Sequence, residues 1–505
     1  MSMESKILHL PETWVEVKLG DFVENDKGKK PKNESKEQTA VHHLPYVDIQ
    51  TFEENIVRTW TDGVGCRLCS ETDFLMVWDG SRSGLVGKGV NGALGSTLVR
   101  INFPSMVNDY AYYFLQSKYQ QINTRAKGSG TPHVDPDLLW NYKFPIPPIA
   151  EQHRIVAKIE ELFSELDNGI ENLNTARAQL KVYRQALLKH AFEGKLTAQW
   201  REENKDKLEN ASALQQRIQT ERAARYQQQL TDWQALGQKG SKPKAPKTLP
   251  PLNNVELAEL PALPEGWLGA RLGWMTCSVE YGTSAKSSET GICPVLRMGN
   301  IQNGSFDLND LVFTDDKEEI AKYLLKEGDV LFNRTNSPEW VGKSAIFKSK
   351  HPTIFAGYLI RLNQIPAIVD SQYLNFFLNS HIAKKHGNKV KTDGVNQSNI
   401  NGDKLVNYPF PFCSLEEQKV IVEHLEVRLS KVDQLDQIIT NALQQSEALR
   451  QSILKKAFSG TLVSQDTNDE PAWVLLTRIK SEKTALSPIQ QIKPIKMKRT
   501  MKVNS

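Results

Sequence analysis

The sequence predicts an α+β protein in which two globular, strand-rich domains are joined by two long helices that form an antiparallel coiled coil. Three observations indicate this fold. The chain is an internal tandem duplication, each copy begins with short apolar runs between Gly/Asn/Ser/Pro clusters, and each copy then changes to a long proline-free heptad pattern. A chain of 505 residues is also too long for one hydrophobic core, since single cores rarely exceed about 250 to 300 residues.

The duplication is visible as short motifs that recur in the same order. They are Leu-Pro-Glu-x-Trp at 10–14 and 263–267, Asp-x-Leu at 73–75 and 329–331, Val-Gly-Lys at 86–88 and 341–343, Leu-x-Arg at 98–100 and 359–361, Glu-Gln at 151–152 and 417–418, and Ala-Phe-x-Gly at 191–194 and 457–460. The offset grows from 253 residues (10 to 263) to 266 residues (151 to 417), so insertions lie in the variable parts. We therefore expect pseudo-two-fold symmetry.

The first part of each copy is predicted to be globular, over 1–145 and 263–411. Apolar runs such as 73–78 and 328–332 are typical of strands between turn-forming clusters. Short amphipathic helices are expected at 110–115 and 373–378. This mixture favours an α+β domain over a doubly wound sheet.

A long helix is predicted in the second part of each copy, over 146–195 and 412–462. Each follows a proline cluster, Ser414-Leu-Glu-Glu417 has the pattern of a capping box, and Gly194 and Gly460 are expected to end the helices. The predicted seam residues are Ile155, Leu162, Gly169, Ala176 and Tyr183 with Ile159, Leu166, Leu173, Leu180 and Leu187 in the first helix, and Ile421, Arg428, Leu435, Ala442 and Leu449 with Leu425, Val432, Ile439, Ser446 and Ile453 in the second. Antiparallel pairing would give a rod of roughly 60 Å with a globular domain at each end.

Two further segments follow the long helices. The segment 196–262 is predicted to be a helical extension and a Lys/Pro-rich linker, and 463–505 a C-terminal helix and a basic tail. Lysines 239, 242, 244 and 247, and the basic residues 493, 496, 498, 499 and 502, indicate exposed, disordered segments that either attract phosphates or merely keep the chain in solution. The net charge of +4 does not decide between these interpretations.

Several classes of protein are disfavoured by composition. No apolar run approaches the roughly 20 residues of a membrane span, and the N-terminus has no export signal, so we expect a cytoplasmic protein without membrane contact. Five cysteines argue against a disulfide framework, and Cys66 with Cys69 lacks the second pair that a structural zinc site needs. We therefore expect no metal.

Catalytic motifs are also missing from the sequence. The segment 337–344 resembles a phosphate-binding loop, but Ser337 replaces its first glycine. There is no Asn-Pro-Pro-aromatic run to hold a flipped base, and no Gly-rich strand-loop-helix to bind a methyl donor. We expect no catalytic residue and no cofactor in this chain.

Polar loops at matching positions of the two copies are candidates for nucleic-acid binding. The guanidinium groups of Arg82 and Arg334 suit guanine, the amides of Asn336, Asn396 and Gln397 suit adenine, and Lys127 and Lys391 suit phosphates. The full candidate set is Arg82, Ser83, Lys88, Lys127, Ser129, Thr131, His133, Asn333, Arg334, Asn336, Lys343, Lys391, Thr392, Asn396 and Gln397. Each of them, taken singly, is better explained as a solvated turn residue than as a base contact.

The whole pattern resembles the specificity (S) subunit of type I restriction-modification enzymes. The resemblance rests on the duplicated plan, Pro145-Ile-Pro-Pro148 followed by Glu-Gln, the Ala-Phe-x-Gly-x-Leu motifs that end the helices, and the Val-Gly-Lys motifs. The chain departs from the family in its long segment 197–262 and in Pro-Phe-Cys413-Ser at the start of the second helix.

The resemblance implies that each globular region is a target-recognition domain. One domain would read each half of a split, asymmetric target in double-stranded DNA, and the helical pair would set the distance between the halves. Two methyltransferase (M) subunits and the restriction/motor (R) subunits would dock on this chain. The complex would methylate adenine with S-adenosylmethionine and cut unmodified DNA with ATP and Mg²⁺, and these cofactors would be held by the partners.

Two alternatives remain at this stage. A non-catalytic tandem-domain scaffold or adhesin-like binding protein, spaced by a coiled coil, has the same organisation without DNA affinity. An enzyme with an unrecognised active site is the other alternative. The sequence alone does not give the DNA target or its spacer length.

Overall fold

The computed structural model of the chain describes residues 10–128, 130–238 and 242–486, and the side chains up to residue 481. The predicted candidate Ser129, the linker residue Lys239 and the basic residues 493–502 lie outside the described residues. The chain forms two compact units, one from Met1–Asn174 with Thr440–Ser505 and the other from Thr175–Ile439.

The globular part of the first copy belongs to the first unit. Its elements are β1 (Val15–Lys18), β2 (Glu24–Lys27), β3 (Glu34–Ser35), β4 (Leu44–Val47), α1 (Ile49–Glu54), β5 (Trp60–Thr61), β6 (Leu68–Cys69), β7 (Phe74–Val77), β8 (Val86–Lys88), β9 (Gly92–Leu94), β10 (Leu98–Asn102), α2 (Asn108–Thr124), α3 (Pro136–Trp140) and β11 (Lys143–Ile146), followed by the long helix α4 (Ile149–Phe192). An antiparallel sheet has the strand order β2-β10-β7-β8, and a second sheet, β3-β5-β4-β9-β6, contains the parallel pair β4 and β9.

The second unit begins with the connecting segment and continues into the globular part of the second copy. Its elements are α5 (Ala198–Glu203), α6 (Ala211–Ala235), α7 (Asn254–Leu257), β12 (Leu268–Arg271), β13 (Thr276–Tyr281), β14 (Cys293–Leu296), β15 (Ile301–Gln302), β16 (Ser305–Phe306), β17 (Val312–Thr314), α8 (Lys317–Tyr323), β18 (Val330–Asn333), β19 (Thr335–Asn336), β20 (Ser344–Ile346), β21 (Ile354–Phe355), β22 (Leu359–Gln364), α9 (Ser371–Leu378), α10 (His381–Val390), β23 (Thr392–Asp393), β24 (Ser398–Asn399), α11 (Gly402–Val406) and β25 (Pro409–Phe412). The long helix α12 (Leu415–Ala457) follows, and α13 (Ala472–Leu486) lies in the first unit.

The sheet topology of the first copy recurs in the second. The order β13-β22-β18-β20 repeats β2-β10-β7-β8, the pair β12-β25 repeats β1-β11, and the parallel pair β14-β21 repeats β4-β9. The predicted α+β tandem repeat with two long helices is therefore confirmed. The amphipathic helices predicted at 110–115 and 373–378 are the buried centres of α2 and α9.

The end of each long helix packs on the globular part of the other copy. In the second unit, Phe192 at the end of α4 contacts the rings of Tyr373 and Phe377. In the first unit, Phe458 after α12 contacts Tyr110 and Phe114. The Ala-Phe-x-Gly motifs are thus packing motifs, and Gly194 (φ 69°) and Gly460 (φ 71°) end the helices in the left-handed conformation as predicted.

The Glu-Gln motifs tie each long helix to the first strand of its copy. The indole nitrogen of Trp14 donates to Glu151 at 2.9 Å, and that of Trp267 donates to Glu417 at 2.9 Å. The predicted capping box is only half correct. Ser414 Oγ does accept from the Glu417 amide (3.2 Å), but the Glu417 carboxylate accepts from Trp267, Thr197 and Arg201 because it is buried among them.

The predicted heptad seam has two sets of residues in each helix. The set that contains Leu425 and Val432 is buried or partly buried as predicted, but several residues of the set that contains Leu435 and Leu449 are exposed. Leu425, Val432, Ile439 and Ile453 are buried, but Tyr183, Leu435 and Leu449 are 49%, 48% and 51% exposed. The partly buried residues at those turns are the next ones, Arg184, Asp436 and Arg450. A straight helix has 3.6 residues per turn and drifts by about 20° per heptad, so the contact stripe moves one residue later.

Ion pairs join the two long helices within each unit. In the second unit, Arg177 pairs with Asp436 (3.1 Å) and Arg184 with Asp433 (2.8 Å). In the first unit, Arg450 pairs with Asp167. In the second unit, rising numbers in α4 accompany falling numbers in α12, so the helices are antiparallel there, as predicted.

The linker of 242–253 is held on the second unit. The Trp274 indole donates to the carbonyl of Leu249 (3.2 Å), Arg271 Nε donates to the carbonyl of Pro250 (2.7 Å), and Leu252 is buried. Lys242, Lys244 and Lys247 are exposed as expected, but the last part of this segment is fixed by hydrogen bonds and is not a free tether. In the described part of the chain, none of the helices combines the length and the apolar character that a membrane crossing needs.

Candidate nucleic-acid interface

Two predicted loops of the first copy lie side by side. Gly80 N donates to the carbonyl of Pro132 (2.7 Å), Asp79 and His133 form an isolated β-bridge, and Lys127 and His133 exchange backbone hydrogen bonds of 2.9 and 2.8 Å. We call residues 79–84, 88, 127–128 and 130–133 the first loop surface. The sheet edge at β7 and β8 therefore brings together candidates that are about fifty residues apart in sequence.

The cations of the first loop surface are paired with carboxylates. The guanidinium of Arg82 pairs with Glu53, the ammonium of Lys88 with Asp109, and that of Lys127 with Asp135 at 2.9 Å. All three remain exposed enough to reach a ligand. The hydrogen bond to Asp135 raises the pKa of Lys127, which keeps its positive charge.

Two predicted candidates are buried. Ser83 and Asn333 have no exposed side-chain surface, although each lies in one of the predicted loops. The amide nitrogen of Asn333 points to the carbonyl of Trp340 (3.4 Å), and the backbone of Ser83 accepts a hydrogen bond from Asn123 (3.0 Å). Neither side chain can contact a base in this conformation, so we assign both to loop packing and remove them from the candidates.

The second copy builds its loops into a small sheet. The strand order β19-β24-β23 places residues 335–336 beside 398–399, and those beside 392–393. The Asn399 amide donates to Thr335 Oγ1 (2.7 Å). We call residues 334–337, 343 and 391–399 the second loop surface.

Candidates on the second loop surface differ in accessibility. Asn396 and Gln397 are exposed at the turn between β23 and β24, and Thr392 is exposed beside them. Arg334 is partly buried, since its guanidinium stacks on Tyr281 at 4.7 Å and donates to the carbonyl of Gly357 (3.4 Å). Asn336 accepts from the amide of Ser337 (2.8 Å), which occupies its carbonyl oxygen.

The two lysines of this surface are held by neighbours. Lys343 Nζ lies 3.8 Å from the centre of the Trp340 ring, and burial, with the nearby Lys384 charge, lowers its pKa. Lys391 Nζ lies 3.5 Å from the Asp393 carboxylate and is mostly covered. Asn396, Gln397 and Thr392 are therefore the predicted residues that this surface presents most openly.

Matching contacts connect both loop surfaces to the strand that precedes them. At the end of β2, Lys27 pairs with Asp79 (2.8 Å), and at the end of β13 the equivalent Tyr281 stacks on Arg334. The next residue is a glycine in both copies, Gly28 and Gly282. A Cβ there would lie 2.1 or 2.2 Å from a backbone oxygen, so no larger residue fits.

A basic segment beside the first loop surface was missed by the sequence analysis. Lys29, Lys30 and Lys32 directly follow β2 and are exposed, and Lys286 occupies the corresponding segment of the second copy. The run Gly-Lys-Lys-Pro-Lys at 28–32 was the available signal. Its closeness to residue 79 depends on strand pairing that the sequence does not show.

Cys66 and Cys69 were considered above for their spacing, and their surroundings are described by the structure. Cys69 is buried, and its thiol donates to the carbonyl of Val90 (3.1 Å), while burial raises its pKa to about 11. In the described ranges, His, Cys, Asp and Glu side chains form no group of three suited to a metal ion.

Comparison with known proteins supports the geometry of a duplicated domain. The family described as type I restriction modification DNA specificity domain matches residues 11–175 and 280–446, one match in each copy. The chain belongs to this family. Both matches end past the middle of a long helix, so the family's domain includes a globular part and more than half of the helix that follows it.

Relatives in this family align over most of the chain. The type I restriction enzyme MjaVIII specificity subunit of Methanocaldococcus jannaschii is 26% identical over 472 residues, covering 91% of this chain and 96% of the relative. The EcoKI specificity subunit of Escherichia coli is 27% identical over 392 residues, covering 74% and 71%. A solved chain from a type I R-M system shares the fold, with a TM-score of 0.60, 19% identity, and coverage of 90% of this chain and 100% of that one.

Proposed function

We propose that this chain is the specificity subunit of a type I restriction-modification complex. It reads a bipartite, asymmetric target in double-stranded DNA, one half with each globular domain. The observation that carries the proposal is the pair of loop surfaces, which occupy equivalent positions of one repeated topology but differ in chemistry. Family membership of both copies supports the same role.

The difference between the surfaces explains how one fold reads two sequences. The first loop surface presents the guanidinium of Arg82 and the ammonium groups of Lys88 and Lys127, while the second presents the amides of Asn396 and Gln397. Arginine bonds guanine edges in the major groove and Asn or Gln bonds adenine, whereas lysine contacts position the protein on phosphates. Two unlike surfaces make the target asymmetric.

The proposal assigns no chemistry to this chain. Adenine methylation with S-adenosylmethionine, and cleavage with ATP and Mg²⁺, belong to two methyltransferase subunits and to restriction/motor subunits that dock on it. The long helices would serve as the spacer between the half-targets, and the complex would act in the cytoplasm on cellular DNA. The support for these points is the family to which the chain belongs.

Single-molecule methylation sequencing tests the proposal. DNA from cells that express this chain with its genomically neighbouring methyltransferase subunit is compared with DNA from cells that express the methyltransferase alone. We expect N6-methyladenine only with both chains, at a two-part motif with a fixed gap. If both proteins fold and co-purify but no motif is methylated, the chain is a scaffold that binds something other than DNA.

A further inference from the structure

The turn between β23 and β24 carries a fully exposed aliphatic side chain. Val395 is 100% exposed, whereas the other exposed large hydrophobic side chains of the described residues reach at most 71%, at Val64. Covering an aliphatic group that is exposed to water lowers the free energy, so such a group favours binding of a partner. Val395 lies beside Asn396 and Gln397, the two most open amides of the second loop surface.

The hairpin that presents Val395 is braced at its base. Lys404 Nζ donates to Thr392 Oγ1 (2.6 Å), the Ser398 hydroxyl donates to the Asp393 carboxylate, and Lys391 Nζ lies within 3.4 Å of the carbonyl of Pro338. Gly394 N donates to the carbonyl of Gln397 (2.7 Å) and closes the turn. These bonds hold the turn at its base while Val395 stays fully exposed, so Val395 is a fixed apolar point on this surface.

The hairpin belongs to the three-stranded sheet β19-β24-β23, and its tip, residues 394–397, lies beyond the last paired residues of that sheet, 393 and 398. The major groove of DNA, about 12 Å wide, admits a two-stranded ribbon, so it can admit this tip. In that groove an A·T pair presents the N6 and N7 atoms of adenine beside the C5 methyl group of thymine. The tip sequence Gly-Val-Asn-Gln therefore combines amides that suit adenine with an aliphatic group that suits the thymine methyl.

The described tip residues of the first copy carry no equivalent of Val395. The loop from Lys127 to His133 has seven residues, against nine from Lys391 to Asn399, and its described tip residues are Gly128, Gly130, Thr131 and Pro132. A contact made by Val395 would therefore belong to only one half of the target.

We propose that the β23–β24 hairpin enters the major groove and that Val395 packs against the C5 methyl group of a thymine in the half-target read by the second copy. Asn396 and Gln397 then face the neighbouring base edges. This inference rests on the proposed function and names the residue that selects one A·T pair.

Deoxyuridine substitution tests the contact, because deoxyuridine differs from thymidine only by the missing methyl. The full chain in complex with its methyltransferase subunits is bound to DNA duplexes that contain the motif identified by methylation sequencing. Each thymine of the motif is replaced in turn by deoxyuridine. Burial of one methyl group corresponds to about fourfold in affinity. We expect one deoxyuridine, in one half of the motif, to weaken binding by about fourfold, and the Val395→Ala variant, which loses two methyl groups, to discriminate between the two duplexes less than the unchanged chain does.

The control is Val255→Ala. Val255 is 70% exposed on α7 and belongs to neither loop surface, so its variant should discriminate as the unchanged chain does. Three results would overturn the inference while the bipartite motif stands: no deoxyuridine weakens binding by the unchanged chain, Val395→Ala discriminates as fully as the unchanged chain does, or the second half-target contains no thymine. Absence of any methylated motif with the unchanged chain would instead overturn the proposed function.

Discussion

Two buried glutamates, Glu151 and Glu417, join the beginning of each copy to its long helix. Their motifs are plain in the sequence, but their partners, Trp14 and Trp267, lie 137 and 150 residues away. The same limit applies to the candidate site. Residue type and loop position identified Arg82, Asn396 and Gln397 as exposed polar groups, but the burial of Ser83 and Asn333 follows from strand packing.

Substitution of Glu417 tests the role of these carboxylates. Glu417→Ala removes the shared acceptor of Trp267, Thr197 and Arg201, and breaking such a buried ion pair costs about 3 to 5 kcal/mol. The neighbouring Glu416 is exposed, so Glu416→Ala should cost less than about 1 kcal/mol. Denaturant unfolding of the two variants measures the difference, and equal losses would contradict the assignment.

The pH dependence of stability tests Glu151. Burial, opposed by hydrogen bonds from Trp14 and Gln465, raises the pKa of Glu151 above its ordinary value of 4.5. The folded state then binds the proton more tightly than the unfolded state, so this contribution to stability is present below pH 4.5 and is lost as pH rises through the raised pKa.

Glu151→Gln removes this titration. The melting temperature of the variant minus that of the unchanged chain should therefore become more positive between about pH 4 and pH 7. Thermal unfolding at several pH values measures it. A difference that becomes more negative over that interval would show that the carboxylate is favoured by folding.

At the scale of elements, the long helices could be predicted from the absence of proline and the apolar period. Their contact face could be predicted only in part. The sequence fits an ideal heptad seam, but the contact stripe drifts, so Arg184, Asp436 and Arg450 replace Tyr183, Leu435 and Leu449 at the partly buried positions. The pairing of the short β-strands could not be predicted from the sequence either, because many of them are only two to four residues long.

Two leucines of α12 test the position of the seam with the same substitution. Leu425 is fully buried, and Leu435, a predicted seam residue, is 48% exposed. Leu425→Ala should cost about 2 to 5 kcal/mol in the free energy of unfolding, because it leaves a cavity. Leu435→Ala should cost less than about 1 kcal/mol. A larger loss at Leu435 would restore the strict heptad.

At the scale of the whole molecule, the duplication predicted two equivalent domains and antiparallel helices. The repeat alone did not predict that Phe192 packs with the second copy and Phe458 with the first, which depends on the course of the helices within each unit. The fixed linker end at Leu249 and Pro250 was also not predictable, since its partners Trp274 and Arg271 are distant in sequence.

The spacing between half-targets should depend on the length of the long helices. Removing one heptad from each of α4 and α12 shortens each by about 10 Å, which corresponds to about three base pairs. Methylation sequencing of the deletion variant should show a spacer shorter by that amount. An unchanged spacer in a folded, active variant would show that the helices do not set the distance.

The most direct test of the central claim, that each copy reads one half of the target, compares the methylation motifs of Arg82→Ala and Asn396→Ala with that of the unchanged chain. Each variant removes one base-reading candidate from one loop surface. We predict that Arg82→Ala relaxes base preference in one half of the motif and Asn396→Ala in the other, with the spacer unchanged. Relaxation of the same half by both variants, in complexes that still methylate DNA, would contradict the division of the target between the two copies.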